Sequence, residues 1–353
     1  MQKVGMILKR IGKVLLWIVL VLVVLIGALV FWLRSEPAQV TECDQGLRLF
    51  EDADGAECIP EMPTDVFSVS VSSSQLYLAL GFPMVVRVRA FEDFVVGDIP
   101  NLEPRMEAVH AGVPEVEINR ETLNLELLLQ FEPEVIVSEF PTSEVNKLLG
   151  TIAPVVLLSS EDSWKSYSLS AGDMIGSRAE AEALLQQFDE RVALLRAQFD
   201  DPSEITVSVV RIHPENKQLQ LPSSFSGQII EAVGFSIPEA QRELSETVPD
   251  QSVYLISEER IDLIDGDHII IVSGTTNEIL AEQGSSLDAL VEDFNNDPLY
   301  QTLEGAQNGN VSAVGTYWRL AGIYSAHAIL DDLFIHVAGV DPNEVAPNPL
   351  PYE

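Results

Sequence analysis

The sequence predicts an α/β fold with two lobes on either side of one long helix, preceded by a single transmembrane helix. Three observations lead to this prediction. An uncharged apolar segment at residues 14–33 is long enough to cross a bilayer. Short strands alternate with short helices in the remaining chain, a pattern typical of parallel α/β units. An amphipathic helix over residues 177–199 interrupts this alternation, and a chain of 353 residues suffices for two globular units.

Residues 14–33 are predicted to form an uncleaved anchor. Four basic residues precede the segment, which favours a cytoplasmic N-terminus and an extracytoplasmic C-terminal domain. A cleaved signal peptide is the alternative, but its apolar region is usually shorter and is followed by a small-residue cleavage site. Residues 32–37 contain no such site, and no cysteine lies at the end of the apolar segment to indicate a lipoprotein. We therefore expect a single-pass cell-membrane protein whose residues 1–35 form a cytoplasmic stub and the anchor.

The charge of the chain excludes some partners. The formal net charge is −35, and every acidic residue follows the predicted anchor. Such a surface repels nucleic acid and anionic lipid, so we expect no nucleic-acid partner. An anionic ligand would have to be bound by locally placed arginines.

The two cysteines lie in a predicted acidic linker over residues 36–63. In an oxidising compartment we expect Cys43 and Cys58 to form a disulfide that closes a short loop. The acidic residues 51–57 leave a calcium site as an alternative, although their spacing does not continue into an EF-hand loop.

Residues 64–176 are predicted to form a first α/β lobe. Short apolar runs indicate strands at 66–71, 84–88, 135–137 and 155–158, and helices at 75–80, 123–131 and 146–151. Ser72–Ser74 are expected to cap the first helix, and Gly81 is expected to end it.

The long helix is predicted to belong to residues 177–201, between the lobes. Ser177 and Glu180 have the spacing of a capping box, and Asp200 before Asp201-Pro202 marks the end. Apolar residues recur every three or four positions and form one stripe, namely Leu184, Phe188, Val192, Leu195 and Phe199. This pattern alone also fits an ordinary packed surface helix.

Residues 202–340 are predicted to form a second α/β lobe, in which the alternation restarts. Strands are expected at 205–212, 267–272 and 310–314, and helices at 226–233, 258–264, 287–294, 298–304 and 322–337. The proline-containing tail, residues 341–353, is expected to be irregular.

No catalytic motif is present in the sequence. It contains no nucleophile elbow, no phosphate-binding P-loop and no glycine-rich dinucleotide motif. The five histidines lack the spacing of a helical metal site. We therefore expect no enzymatic activity, no catalytic residue and no protein-bound metal.

Several segments resemble the substrate-binding proteins of ABC importers for iron–siderophore complexes, which share a fold with the vitamin B12-binding protein. Residues 124–137, Asn-Leu-Glu followed by a helix and Glu-Pro-Glu-Val-Ile-Val, are similar to the family's N-L-E, helix and K-P-D strand. Residues 256–272 are similar to its S-x-E and second-lobe strand. Residues 297–311 are similar to its N-P helix and N-G turn. Tyr317-Trp318 and residues 329–333 follow in the same order.

The resemblance covers about residues 64–340 and implies two Rossmann-like lobes joined by one long rigid helix, with a ligand cleft between them. It also implies that Glu126 and Glu259, one in each lobe, dock on arginines of a permease. Exposed carboxylates accept paired hydrogen bonds from guanidinium groups. Acidic residues favoured at helix N-termini are the alternative explanation for both positions.

The same resemblance suggests ligand-binding residues. Arginine forks and aromatic rings suit siderophores rich in acceptor oxygens. The expected residues are Arg211, Trp318, Tyr317, Arg319, Trp164, Arg89 and Ser73. The first-lobe arginine of many relatives is replaced by the segment 138–140, Ser-Glu-Phe, which favours a hydroxamate or mixed ligand over a strongly anionic catecholate.

The function implied by the resemblance is capture of a ferric siderophore and its delivery to an ABC importer. The siderophore would hold the iron, so no cofactor of the protein itself is expected. A haem- or corrinoid-binding protein of the same fold is one alternative, for which His213 is the histidine placed near the cleft. A sensory or structural ectodomain that has lost transport is another.

Overall fold

The structure is a computed structural model that describes most of the chain after residue 41. The described residues are 42–53, 55–85, 87–91, 94–95, 99–100, 102–109, 115–118, 125–139, 144–158, 163–213 and 216–350. The predicted anchor at 14–33 lies outside them. No helix in these described ranges combines the length and apolar composition of a membrane span.

A β-hairpin precedes the first half of the fold. Strands β1 (Leu47–Asp52) and β2 (Gly55–Pro60) pair antiparallel over their full length. Both cysteines are disulfide-bonded, which confirms the predicted pair Cys43–Cys58. The Arg48 guanidinium donates to the carbonyls of Asp173 and Met174 at 2.6 and 3.0 Å, so the hairpin is tied to the end of a helix of the first half.

The first half, residues 64–176, contains two three-stranded sheets flanked by helices. The strands are β3 (Val66–Ser68), β4 (Arg87–Phe91), β5 (Phe94–Val95), β6 (Glu115–Ile118), β7 (Val135–Ser138) and β8 (Val155–Leu157). The helices are α1 (Val71–Ala79), α2 (Leu102–Val109), α3 (Leu125–Leu129), α4 (Glu144–Leu149) and α5 (Trp164–Met174). The order β3-β7-β8 is parallel throughout, as predicted for α/β units.

Helix α1 starts earlier than the sequence predicted. Its N-cap is Ser70, whose side chain accepts a hydrogen bond from the Ser73 amide at 3.2 Å, so Ser72–Ser74 lie inside the helix. The strand before it therefore ends at Ser68 instead of Val71. Each of several consecutive serines could cap a helix. Ser70 is the cap because the preceding strand already ends at Ser68.

The second half, residues 202–340, is built on a five-stranded sheet. Its strands are β9 (Val207–His213), β10 (Asn216–Gln220), β11 (Val253–Ile256), β12 (His268–Ser273) and β13 (Val311–Val314), in the order β11-β10-β9-β12-β13. The strand β12 is parallel to β9 and β13, whereas β10 is antiparallel to both β9 and β11.

Helices cover this second sheet and close the chain. They are α7 (Phe225–Val233), α8 (Glu239–Thr247), α9 (Asn277–Glu282), α10 (Leu287–Asn296), α11 (Glu304–Gln307), α12 (Ile323–His336) and α13 (Pro342–Val345). Short 3₁₀ segments cover Pro202–Glu204, Glu258–Ile264, Tyr300–Thr302 and Thr316–Arg319. The segment predicted as a helix at 258–264 is thus a 3₁₀ helix, and the tail contains one helical turn.

The long amphipathic helix is present as α6 (Arg178–Arg196). Its buried stripe includes Phe188, Val192 and Leu195, as the periodicity predicted. The predicted capping box is absent, since the Ser177 side chain makes no cap hydrogen bond. The helix packs against α5 of the first half and against α7 and α12 of the second.

The two halves also touch directly. Gln75 of α1 is fully buried and accepts a hydrogen bond from the Ser325 amide at 2.9 Å, while its amide group donates to the Ala321 carbonyl at 3.2 Å. One hydrophobic cluster contains Phe67 and Trp164 of the first half together with Ile230 and Trp318 of the second. The halves therefore share a core.

Candidate ligand-binding site

The carboxyl ends of the parallel strands gather the polar loops of each half. In open α/β sheets, ligands bind in the crevice outside these strand ends. The loops after β3 and β7 carry Ser70 and Glu139, strand β9 ends at His213, and the 3₁₀ segment after β13 ends at Arg319. A ligand is therefore expected near the residues at these strand ends in both halves.

A cavity of about 790 Å³ lies where the halves meet. Trp164 is its lining residue from the first half, and residues in the segments 220–228, 249–253 and 319–321 line it from the second. This volume falls in the range of small-molecule sites. Two residues expected from the resemblance, Trp164 and Arg319, therefore line the same cavity.

Trp164 is the aromatic wall of this cavity. It occupies the first position of α5, after the N-cap Ser163, and its ring meets Phe188 and Phe225 edge-on at centroid distances of 5.1 and 5.7 Å. The residue is 5% exposed. These two phenyl rings belong to α6 and α7. The indole of Trp164, at the start of α5, is therefore held by helices outside the first half.

Arg319 ends the 3₁₀ segment Thr316–Arg319, which a buried carboxylate holds in place. Oδ2 of Asp332 accepts hydrogen bonds from the Tyr317 hydroxyl at 2.7 Å and from Nε1 of Trp318 at 2.6 Å. Burial raises the pKa of Asp332 to about 6, although both hydrogen bonds favour the ionised form. Burial also raises the pKa of the Tyr317 phenol.

The structure places Trp318 and Tyr317 in the core instead of on a cavity wall. The indole of Trp318 has no exposed surface and belongs to the hydrophobic cluster that both halves share. Tyr317 is 8% exposed and directs its hydroxyl to Asp332. We therefore leave both residues out of the proposed ligand site and assign them to the support of Arg319.

Arg211 lies on β9, as expected, but it does not line this cavity. Its guanidinium donates to the Gly274 carbonyl at 2.8 Å and to Oε1 of Gln218 at 3.5 Å. It thereby ties the loop after β12 to the β9–β10 hairpin. His213, the residue considered as an axial ligand, is half-buried at the end of the same strand.

Ser73 belongs to a buried hydroxyl network that the sequence did not predict. Its hydroxyl lies 2.8 Å from that of Ser68. The Ser70 hydroxyl donates to Glu139 at 2.7 Å and lies 2.5 Å from the Tyr167 hydroxyl. Burial and the nearby Glu139 carboxylate raise the pKa of Tyr167. Ser73 is therefore a packed network member.

The remaining expected residues lie elsewhere on the fold. Arg89 is in β4, and its side chain lies outside the described part of the structure. Glu126 is in the first turn of α3 and is exposed. Glu259 is exposed in the 3₁₀ segment after β11. The last two positions offer accessible carboxylates, one on each half.

Several cavity residues were missed by the sequence reasoning. Gln220 ends β10, Ser224 caps α7, Gln228 lies in the first turn of α7, and Asp250 lies in the loop before β11. The segment Pro222-Ser223-Ser224 before the apolar residues of α7 is a recognisable N-cap signal. Nothing in the sequence indicated that this helix start would line a cavity.

Comparison with known proteins identifies the family. The periplasmic binding protein family model matches residues 69–316. The achromobactin-binding periplasmic protein of Dickeya dadantii (strain 3937) is 31% identical over 230 residues, which cover 63% of this chain and 72% of that protein. A probable siderophore-binding lipoprotein of Bacillus subtilis (strain 168) is 25% identical over 285 residues, covering 78% of this chain and 82% of that protein.

A solved structure supports the same conclusion for the fold. SirA of Staphylococcus aureus, complexed with staphyloferrin B, superposes with a TM-score of 0.67 at 20% identity and covers 82% of this chain and 98% of its own. The predicted mixed α/β fold with two lobes is thereby confirmed. On the family match and the relatives together, this chain belongs to the periplasmic binding protein family.

Proposed function

We propose that this protein binds a ferric siderophore in the cavity between its halves and delivers it to an ABC importer. The observation that carries the proposal is the cavity of about 790 Å³, bounded by Trp164 on one side and by Arg319 and the start of α7 on the other. The relatives support a siderophore as the ligand class. Two of them are named for binding achromobactin or a siderophore, and SirA was solved with staphyloferrin B.

The chemistry of the cavity suits such a ligand. A ferric siderophore presents acceptor oxygens around the metal and apolar linkers between them. Arg319 supplies a planar set of donors, and the rings of Trp164 and Phe225 supply apolar surface. In this proposal the iron is part of the cargo and keeps its siderophore ligands, so the protein contributes donors and ring faces.

The finer parts of the proposal concern placement at the membrane. We assign residues 14–33 to a membrane anchor that keeps the binding domain outside the cytoplasm, on the strength of their length, apolarity and basic flank. We assign Glu126 and Glu259 to permease docking, because both are exposed and lie on different halves. In this proposal α6 acts as the strut that joins the two lobes.

Tryptophan fluorescence titration of the full chain in detergent micelles tests the binding step. The panel contains ferric hydroxamate, catecholate and carboxylate siderophores, haem and cobalamin. We expect saturable quenching by at least one ferric siderophore at micromolar concentration or below, with most of the signal lost in Trp164→Phe. Quenching by haem or cobalamin alone would favour the alternative ligands. No quenching by any compound would contradict a transport function.

A further inference from the structure

Helix α12 begins beside the cavity and is capped by a residue of the other half. Its N-cap is Gly322, which makes no side-chain cap hydrogen bond. An N-cap side chain ordinarily accepts a hydrogen bond from the backbone amide two or three residues further on. Here Oε1 of Gln75, on α1 of the first half, accepts that bond from the Ser325 amide at 2.9 Å. The first half therefore supplies the cap that a glycine cannot provide.

The same side-chain amide holds one wall of the cavity. Nε2 of Gln75 donates to the Ala321 carbonyl at 3.2 Å and to the Leu320 carbonyl at 3.4 Å. Ala321 lines the cavity, and Leu320 directly precedes it in the chain. A glutamine amide carries two donor hydrogens and an acceptor oxygen, so it can bond to all three backbone groups at once. Gln75 has no exposed surface, which keeps these bonds away from solvent.

Helix α1 also holds the opposite wall. Trp164 lines the cavity from the first half as the first residue of α5, and α1 packs against α5. The hydroxyl of Ser70, the N-cap of α1, lies 2.5 Å from the Tyr167 hydroxyl of α5. Near the other end of α1, the Tyr77 hydroxyl donates to the Ala171 carbonyl of α5 at 3.4 Å. One helix is therefore bonded to both walls.

We propose that Gln75 is a positioning residue for the ligand cavity. Its three hydrogen bonds fix the wall that contains Ala321 relative to Trp164 before a ligand arrives. Gln75 is not among the residues that line the cavity, so it acts on the ligand through the wall. A preformed site loses less free energy to the ordering of its own segments on binding, so loss of these bonds should weaken binding. This inference rests on the proposed function and adds to it a residue remote from the ligand.

Calorimetric titration of the full chain in detergent micelles tests this role. The probes are ferrichrome, ferric enterobactin and ferric achromobactin. Gln75→Met keeps the length of the side chain and removes all three hydrogen bonds. We expect it to weaken, by at least tenfold, each of these complexes that the unmodified protein binds. Thermal melting of every variant verifies that the titrated protein is folded.

The matched control is the same substitution at a second buried glutamine. Gln241 of α8 is 1% exposed, and its Nε2 donates to the Ser208 hydroxyl at 2.7 Å and to the Leu263 carbonyl at 2.6 Å. None of these three residues lines the cavity. Gln241→Met should therefore lower the melting temperature and leave the affinity for each probe within about twofold.

Gln75→Glu keeps the shape of the side chain and provides a rescue test. At pH 5 the protonated acid has one donor and one acceptor, so affinity should lie within about threefold of that of the unmodified protein. At pH 8 the carboxylate faces two carbonyl oxygens, and affinity should be at least tenfold lower. Each value is taken relative to the unmodified protein at the same pH, so the contributions of other titratable groups cancel.

The outcomes separate this role from the proposed function. Unchanged affinity in Gln75→Met, an equal loss in Gln241→Met, or no pH-dependent difference in Gln75→Glu would overturn the positioning role while siderophore binding stands. Failure of all three probes to bind the unmodified protein would instead refute the proposed function, and the positioning role with it.

Discussion

Gly322 shows how a single residue controls the contact between the halves. Its φ is +150°, and a Cβ at this position would lie 2.4 Å from the Gln75 side chain. Gln75 cannot move without losing its bonds to the Ala321 carbonyl and the Ser325 amide. A glycine is required here both by conformation and by space.

Gly322→Ala should therefore lower the free energy of unfolding by at least about 2 kcal/mol, since strain and overpacking add. Chemical denaturation of the full chain measures the change. The matched control is Gly339→Ala, at φ +68° with no heavy atom within 4 Å of the added Cβ. It should cost about 1 kcal/mol, from backbone strain alone. Equal losses for the two variants would show that the Gln75 contact is unimportant.

Asp332 gives the fold a specific pH dependence. Burial raises its pKa to about 6, whereas the unfolded chain has a value of about 3.9. The folded protein therefore binds this proton more tightly than the unfolded chain does. The stability that protonated Asp332 contributes is fully present below pH 4 and is lost as the pH rises through 6. The loss from this one group is roughly 3 kcal/mol.

Asp332→Asn removes this ionisation while it keeps the shape of the side chain. The unfolding free energy of the unmodified protein relative to the variant should be more favourable at pH 4 than at pH 7, by roughly 2 kcal/mol, because an unfolded-state aspartate is already half ionised at pH 4. Urea denaturation of both proteins at the two pH values measures this difference, and the other acidic residues cancel in the comparison. A difference that does not vary with pH would show that Asp332 is ionised in the fold as easily as in the unfolded chain.

Among the secondary-structure elements, helix α6 is tied to the C-terminal part of the chain by one buried arginine. Arg191 is 3% exposed, forms an ion pair with Asp331 of α12, and donates to the Ala346 carbonyl at 2.9 Å. Its guanidinium also lies 3.0 Å from Nδ1 of His327, whose pKa is lowered to about 3 by burial and by this positive charge. Neutral His327 can accept from the arginine.

Arg191→Met should cost about 3 kcal/mol or more, because it leaves the partly buried Asp331 carboxylate without its cationic partner. It should also expose the segment after residue 341 to proteolysis, since the bond to Ala346 is lost. Denaturation and limited proteolysis measure the two effects. Arg178→Met, which removes an exposed pair with Glu182 on the same helix, should cost less than about 1 kcal/mol. Similar losses for both variants would contradict this account of α6.

The elements differ in how well the sequence predicted them. Apolar periodicity placed α6, α12 and the buried strands β7 and β12 to within a few residues, because burial itself creates the pattern. Strand β10, with the sequence Asn-Lys-Gln-Leu-Gln, was missed because its polar residues hide the alternation. Helix α8 was missed because only Ala240 and Leu244 of its nine residues are apolar, which makes its stripe too short to recognise in the sequence.

The candidate site was predicted only in part, for a physical reason. Trp164 and Arg319 could be expected from residue type and position. Gln220 and the start of α7 line the same cavity only because of how the loops meet across the fold, and sequence reasoning cannot supply that information. Trp318 was expected near the ligand because the family that the chain resembles often has a cleft tryptophan before the last helix, whereas in this structure its ring is fully buried.

For the molecule as a whole, the proposed function assigns docking on a permease to Glu126 and Glu259, one exposed carboxylate on each half. Double charge reversal, Glu126→Arg with Glu259→Arg, should leave ligand affinity unchanged and reduce uptake into cells at least tenfold, because carboxylates no longer meet guanidinium groups. The control is Glu132→Arg with Glu282→Arg, at exposed positions of the same two halves. Unchanged uptake in the first double variant would refute the docking role.

The location of the bound iron tests the central claim most directly. Crystals of the protein with a ferric siderophore would give an anomalous diffraction signal at the iron absorption edge. We expect one iron peak inside the cavity bounded by Trp164, Phe225 and Arg319, with siderophore oxygens as its ligands. An iron peak outside this cavity, or an iron bound directly by a histidine or tyrosine side chain, would contradict it.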